Sequence, residues 1–242
     1  MLVTAFLCYK NGKSRKTTDH YISQFDHIAK LGIPTILFLD ESLKGKVNYP
    51  HVHVEYITID DLWISKFIKE NEIQPNYIIN GENTTYVSSE YFVIQNSKSE
   101  FLSRAAAISP DQRFTWIDFG VAHVFPGYEH ILQRLKLVDY LQGGLIIPGY
   151  HGTPTDELRE LPWRFLGGFI TGLRDDIAYF HDHQVRAFKA IYPFVTFEVN
   201  VWAWAEVHQG FKPKWYWGNF GPYFFNFDQY LVLPKTFEMG EP

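Results

Sequence analysis

Residues 114–120 read Phe-Thr-Trp-Ile-Asp-Phe-Gly, and this stretch decides the predicted fold. Its aromatic and β-branched residues are typical of a short buried strand. Asp118 follows the strand, where a carboxylate is costly to bury unless a cation receives it, and Gly120 allows a sharp turn. Because ligands bind at the carboxyl ends of strands in open α/β sheets, we predict a ligand site centred on Asp118. A structural Asp that caps a turn is the alternative.

The first half of the chain alternates between predicted strands and helices. Apolar runs at residues 3–9, 35–39 and 52–57 predict buried strands, and residues 19–29 and 60–72 have the apolar spacing of helices. This alternation is typical of an α/β fold with a mainly parallel sheet. A length of 242 residues fits one large domain, or one domain with a small extension.

Two predicted helices carry polar candidates for the site. The helix over residues 98–108 begins with a predicted capping box of Ser97 and Glu100, and Lys98 and Arg104 lie near its polar side. A later helix over residues 175–191 contains Asp182. For Lys98 and Arg104, charges on a solvated helix face are the alternative interpretation, whereas one polar group of the later helix could reach a cleft.

Two predicted strands also carry candidate site residues. Residues 163–172 contain Gly167 and Gly168, and paired glycines in a strand permit a close approach of ligand to backbone. A bulge or tight sheet packing is the alternative. Residues 196–202 alternate polar and apolar side chains, which predicts a strand with Glu198 and Asn200 on one face. The polar loop at residues 10–18 contains four cations that could meet a phosphate, although a solvated loop is the simpler interpretation.

Composition excludes several classes of protein. The net charge of −5 argues against nucleic acid as a partner, and a single cysteine excludes an internal disulfide. No apolar run approaches the roughly 18 residues of a transmembrane helix. The amino terminus lacks the features of a signal peptide, so we predict a cytoplasmic protein. Aromatic residues make up 18% of the chain, which suits sugar or base stacking as well as core packing.

Several of these stretches together resemble the HtrL/YibB family, and more broadly the GT-A superfamily of nucleotide-sugar-dependent glycosyltransferases. The resemblance runs in order from about residue 3 to residue 225. The residues that carry it are Asn96-Ser97-Lys98, Trp116-Ile117-Asp118-Phe119-Gly120, Leu166-Gly167-Gly168-Phe169, Asp182 with Gln184, and Trp215-Tyr216-Trp217-Gly218-Asn219-Phe220.

The resemblance implies a single Rossmann-like GT-A domain over residues 1–242, with a mixed, mainly parallel sheet. Its nucleotide-binding half ends near residue 120, and an acceptor-binding half with an aromatic tail follows. The implied activity, within glycan biosynthesis, moves a sugar from a nucleotide-sugar donor to a glycan or other hydroxyl acceptor.

The resemblance also implies roles for individual residues. Asp118 occupies the place of the acidic metal motif, which would hold Mn²⁺ or Mg²⁺, but Gly120 replaces its second acid and leaves metal dependence open. His208 is a candidate late metal ligand, with a surface His as the alternative. Asp182 or Glu198 would be the base. The implied donor-binding residues are Lys98, Arg104, Asp118, Gly120, Gly167 and Gly168.

Two other function classes fit the same residues. A non-catalytic carbohydrate-binding protein would use the aromatic side chains alone. A nucleotide-hydrolysing or phosphoryl-transfer enzyme would turn over nucleotide without transferring a sugar.

Overall fold

A computed structural model of the chain describes residues 1–8, 16–78, 88–125, 127 and 129–233. Three cations of the predicted phosphate loop, Lys10, Lys13 and Arg15, lie outside the described residues. The strands are β1 (Leu2–Phe6), β2 (Thr35–Asp40), β3 (Val52–Ile57), β4 (Asn76–Tyr77), β5 (Arg113–Ile117), β6 (Ile146–Gly149), β7 (Phe169–Leu173), β8 (Phe194–Val195) and β9 (Lys214–Trp217).

Seven of these strands form one sheet in the order β3-β2-β1-β5-β7-β6-β9, while β4 and β8 pair separately. Strand β7 runs antiparallel to both of its neighbours, and the other neighbouring pairs in the sheet are parallel. The prediction of an α/β fold with a mixed, mainly parallel sheet is therefore confirmed. The carboxyl ends of β1, β5, β6 and β9 lie at one edge, where β7 begins.

Helices cover both faces of the sheet because successive strand residues point to opposite sides. In β1, Val3 belongs to a core with helices α4 (Lys98–Ile108), α5 (Arg174–Ile191) and α6 (Glu198–His208), and Leu2 belongs to a second core. Helix α1 (Thr18–Ala29) and the 3₁₀ helix Glu129–Tyr140 pack in that second core. The remaining α-helices are α2 (Trp63–Glu70) and α3 (Ser89–Asn96). None of the helices in the described part of the chain is both long and apolar enough to cross a bilayer.

The strand predicted over residues 196–202 is wrong, because helix α6 begins at Glu198. The alternation that suggested a strand does not mark a solvent face. Thr196, Glu198 and Asn200 are all buried among apolar residues. The Asn200 amide donates to the carbonyl oxygen of Glu160 at 2.8 Å, and the Thr196 hydroxyl donates to that of Leu158 at 2.9 Å. Internal hydrogen bonds thus make these polar residues compatible with a buried helix.

Three other local interpretations are also corrected. The Ser97 hydroxyl donates to the carbonyl oxygen of Val93, so it forms no capping box with Glu100. Lys98 lies in the interior rather than on a solvated helix face. The strand predicted over residues 163–172 begins only at Phe169. Gly167 and Gly168 therefore precede strand β7 and lie at the edge of the sheet that holds the carboxyl ends.

Candidate functional site

A cavity of about 400 Å³ lies at the carboxyl ends of β1 and β5. This volume is within the usual range for small-molecule sites. The walls come from the two strand ends, the start of α1, the α3–α4 region and the aromatic segment after β9. Its polar and aromatic lining comprises Phe6, Cys8, Lys16, Thr18, Tyr21, Tyr91, Gln95, Lys98, Trp116, Asp118, Phe119, His123 and Phe220, and Gly120 also lines it.

Asp118 is the predicted acid that the fold brings to this cavity. Its backbone N–H donates to the carbonyl oxygen of Gly168 at 3.1 Å, which fixes the chain as it leaves β5. Its Oδ1 accepts a hydrogen bond of 2.7 Å from Nε1 of Trp116. The side chain is 38% exposed. The carboxylate is therefore held in one orientation while part of it stays open to a ligand.

Lys98, the first residue of α4, connects Asp118 to a second acid. Its ammonium lies 3.0 Å from Oδ1 of Asp118 and 2.8 Å from Oε1 of Glu198. A third contact of 3.0 Å reaches the carbonyl oxygen of Gly167. The side chain is only 3% exposed. An ammonium has three N–H donors, so these contacts use all of them.

Glu198 lies behind the cavity as the first residue of α6, where the helix dipole favours a carboxylate. Burial raises the pKa of Glu198, and the nearby Lys98 ammonium opposes that rise. Burial also acts to lower the pKa of Lys98, but Asp118 and Glu198 outweigh it and raise the pKa. Lys98 therefore keeps its proton and places one positive charge between the two acids.

The glycines of the site leave room for these charged groups. A Cβ on Gly167 would lie 2.1 Å from Oε1 of Glu198, and one on Gly168 would lie 2.9 Å from the ring of Phe224. A Cβ on Gly120 would lie 2.8 Å from the ring of Tyr21. Each glycine is thus required by close packing around the cavity.

A buried amide network connects the two helices that begin at Lys98 and Glu198. The amide nitrogen of Asn96 donates to the carbonyl oxygen of Thr196 at 2.8 Å, and its amide oxygen accepts from Gln184 at 3.2 Å. Asn96 and Thr196 each lie two residues before a member of the ion pair. The network therefore fixes the separation of Lys98 and Glu198.

Three predicted site residues lie elsewhere. Asp182 is 63% exposed on α5 and pairs with Arg186 at 2.8 Å. Arg104 pairs with Glu100 on its own helix at 2.7 Å, and His208 pairs with Asp156 at 2.9 Å. None of the three lines the cavity. The structure brings Lys98, Asp118, Gly120, Gly167, Gly168 and Glu198 together, with Glu198 outside the cavity wall.

The family model described as "Bacterial protein of unknown function (HtrL_YibB)" matches residues 1–193 of the chain. The chain belongs to the HtrL_YibB family. No curated protein matches the sequence. Among solved structures, 4-diphosphocytidyl-2C-methyl-D-erythritol synthase from Anaerococcus prevotii DSM 20548 is similar over 90% of this chain and 86% of that chain. The TM-score is 0.43 and the sequence identity is 10%. A similarity of this size does not transfer an activity from one protein to another.

The donor set of this HtrL_YibB protein does not form a complete metal site. In the described ranges, no group of three or more His, Cys, Asp or Glu side chains could hold a metal ion. Asp118 offers one partly exposed carboxylate, and the Lys98 ammonium already contacts its Oδ1. One carboxylate with substrate phosphates and waters is a known arrangement for Mg²⁺. The residues therefore fit a metal that arrives with a phosphate ligand, and not a metal held by protein alone.

Sequence reasoning missed several residues of the cavity in this family member. Trp116 was detectable, because it lies two residues before Asp118 on a strand and so points to the same side. Tyr21 lines the cavity from α1 and His123 from the 3₁₀ turn after β5, with their ring centroids 6.5 Å apart, and Gln95 comes from α3. Their sequence neighbourhoods contain no motif that would have predicted this placement.

Proposed function

We propose that this HtrL_YibB protein is a glycosyltransferase that moves a sugar from a nucleotide-sugar donor to a hydroxyl acceptor. The main support is the partly exposed Asp118 carboxylate, which faces a cavity of about 400 Å³ at the carboxyl edge of a mainly parallel sheet. Nucleotides bind at this edge in open α/β folds. The resemblance of the same residues to GT-A transferases supports a sugar as the transferred group.

The start of α1 supports a place for the donor diphosphate. Thr18, the first residue of this 12-residue helix, lines the cavity together with Lys16. Helix amino termini carry a partial positive charge and free N–H groups, which favour phosphate. Aromatic rings of Phe6, Tyr21 and Tyr91 line the same cavity and suit a flat nucleobase.

The proposed reaction breaks the bond between the anomeric carbon of the sugar and the diphosphate oxygen. The acceptor oxygen forms the new bond to that carbon and releases its proton to water, while the nucleoside diphosphate leaves with increased negative charge. A divalent metal, when bound, would neutralise that charge. Asp118 would hold the metal beside the diphosphate. Lys98 and Glu198 act as positioning residues that keep the Asp118 carboxylate in place.

Thermal unfolding with a panel of nucleoside diphosphates, each with and without Mn²⁺, tests the donor site. A ligand at 100 times its Kd stabilises a protein by about 2.7 kcal/mol, which corresponds to about 5–11 °C for a chain of this size. We expect one diphosphate to raise the Tm with Mn²⁺, and Mn²⁺ alone to have little effect. Asp118→Asn should abolish the metal-dependent rise, whereas the exposed control Asp175→Asn should keep it.

A transfer assay with the identified donor separates the proposal from its alternatives. Incubation with a radiolabelled nucleotide sugar and candidate acceptors should give a labelled glycoside and free nucleoside diphosphate. Nucleotide turnover without any labelled glycoside would favour hydrolysis or phosphoryl transfer. Saccharide binding without any nucleotide-dependent Tm shift would favour a carbohydrate-binding protein. Either result would overturn the proposed transferase.

A further inference from the structure

Five exposed aromatic side chains lie together beside the cavity, and we call them the aromatic platform. Tyr150 directly follows β6, and Trp217 is the last residue of β9. Their ring centroids are 6.1 Å apart, and the Trp217 and Tyr223 centroids are 5.4 Å apart. Trp163 and Phe220 form a further pair at 5.8 Å. Each of the five residues is between 37 and 51% exposed.

The backbone beneath the platform is fixed in an unusual conformation. Trp163 has φ of 51°, a left-handed conformation that bulky residues rarely adopt. Its carbonyl oxygen accepts hydrogen bonds from the backbone N–H groups of Tyr150 and His151, at 2.9 and 3.2 Å. Strained backbone of this kind persists where surrounding contacts over-determine it, and it is concentrated at ligand sites.

The residues around Trp163 make the contacts that hold its backbone in this conformation. The Arg164 guanidinium forms two hydrogen bonds with Glu206, at 2.7 and 2.6 Å, and is 8% exposed. It also lies 5.1 Å from the ring of Trp215. A Cβ on Gly149 would lie 1.9 Å from the carbonyl oxygen of Arg164. The platform is therefore built on a rigid support, which lowers the entropic cost of binding.

The platform is continuous with the cavity that contains Asp118. Phe220 lines the cavity and also stacks on Phe224 at 5.6 Å. The Phe224 ring lies 2.9 Å from the position of a Cβ on Gly168, and that position is 3.5 Å from Oδ2 of Asp118. A molecule lying on the platform would thus extend toward Asp118, beside which the proposed reaction transfers the donor sugar.

We infer that the aromatic platform binds the acceptor, and that the acceptor is a neutral saccharide. This inference rests on the proposed transferase function and specifies its acceptor. The apolar faces of pyranose rings stack on exposed aromatic rings, and a rigid row of rings suits more than one sugar unit. Anionic ligands would need cations, and the guanidinium of Arg164 beneath the platform is committed to Glu206.

A glycan array with the labelled full chain tests the inference, followed by titration of the best-bound neutral glycan. We expect Trp217→Ala to raise its Kd roughly tenfold. The control Phe194→Ala removes an equally exposed ring, 42% exposed in both cases, from the separate β4–β8 pair. It should leave the Kd unchanged. Both variants should keep the wild-type nucleoside diphosphate shift, which shows that they are folded and that the donor site is intact.

In the transfer assay, Trp217→Ala should raise the KM for the acceptor while the KM for the donor stays the same. If the wild-type protein binds no neutral glycan but keeps its nucleotide-dependent Tm shift, the inference about the platform is overturned and the transferase proposal stands. The inference is also overturned if the wild-type protein binds no glycan but binds phosphatidylglycerol vesicles, and Trp217→Ala abolishes that binding. The platform would then bind a membrane surface. Glycan binding that depends on Trp217 without any nucleotide shift would support the platform and reject the transferase.

Discussion

Lys98→Met removes the buried ammonium between Asp118 and Glu198 while keeping an unbranched side chain. Lys98 is 3% exposed and Glu198 is 6% exposed, so the loss leaves a buried carboxylate without a counter-charge. Removing one partner of a buried ion pair costs about 3–5 kcal/mol of unfolding free energy. For a chain of this size, that predicts a fall in Tm of about 6–20 °C.

The control is a solvent-exposed ion pair with a similar distance between its charged atoms. Lys69 lies 2.7 Å from Asp60, but the two side chains are 59 and 75% exposed. Exposed pairs contribute about 1 kcal/mol or less. Lys69→Met should therefore lower the free energy of unfolding far less than Lys98→Met, as measured by urea denaturation at pH 7. Equal losses in the two variants would refute the reasoning that Lys98 neutralises buried charge.

The pH dependence gives a second test of the same prediction. Burial already raises the pKa of Glu198 above its ordinary value of 4.5, and removing Lys98 should raise it further. A carboxyl group with a raised pKa favours the folded state when protonated, and this contribution is lost as the pH rises through the raised value. The cost of Lys98→Met should thus be larger at pH 7 than at pH 5. Adding Glu198→Gln, which replaces the charge with an amide, should recover part of the stability at pH 7.

Two further predictions concern packing and alkaline stability. Gly167→Ala should lower the unfolding free energy by about 1–3 kcal/mol, because its Cβ would lie 2.1 Å from the pinned Glu198 carboxylate. The control Gly152→Ala, whose Cβ has no neighbour nearer than 3.9 Å, should cost far less in the same denaturation series. Asp26 accepts a hydrogen bond from the Tyr49 hydroxyl and raises the pKa of Tyr49 to about 12. The stability from this bond is present below about pH 10 and is lost as the pH rises toward 12, so Tyr49→Phe should show a weaker loss of Tm over that range. Parallel Tm curves of Tyr49→Phe and wild type between pH 9 and 12 would contradict this.

Strand β5 was predictable from the stretch at residues 114–120 because several independent signals in it agree. An apolar run, an acid and a glycine all indicate a strand that ends at a ligand edge, and the structure places Asp118 there. Local patterns misled at residues 196–202, because a polar residue marks a solvent face only where water is its hydrogen-bond partner. In the folded chain, Thr196 and Asn200 bond to backbone carbonyl oxygens in the interior.

Local sequence patterns could not predict the contacts of Lys98 either, because they depend on residues far away in the chain. A lysine in the first turn of a helix is ordinarily exposed. Its burial depends on Asp118 and on Glu198, which lies 100 residues later and was itself assigned to the wrong element. Such ion pairs form only when the order of strands in the sheet brings distant segments of the chain together. The same holds for Asp182, whose sequence position near a late helix gave no sign that it faces solvent.

The hydrogen bonds of Lys98 also have a consequence for folding. Its contacts to Gly167 and Glu198 span 69 and 100 residues of chain, so each closes a long loop before it gains any energy. Contacts between distant parts of a chain form slowly. The cavity should therefore acquire its shape late in folding, after the amino-terminal strands have paired. Ligand binding during refolding would then report the final step, in which residues on both sides of the sheet centre meet at Lys98.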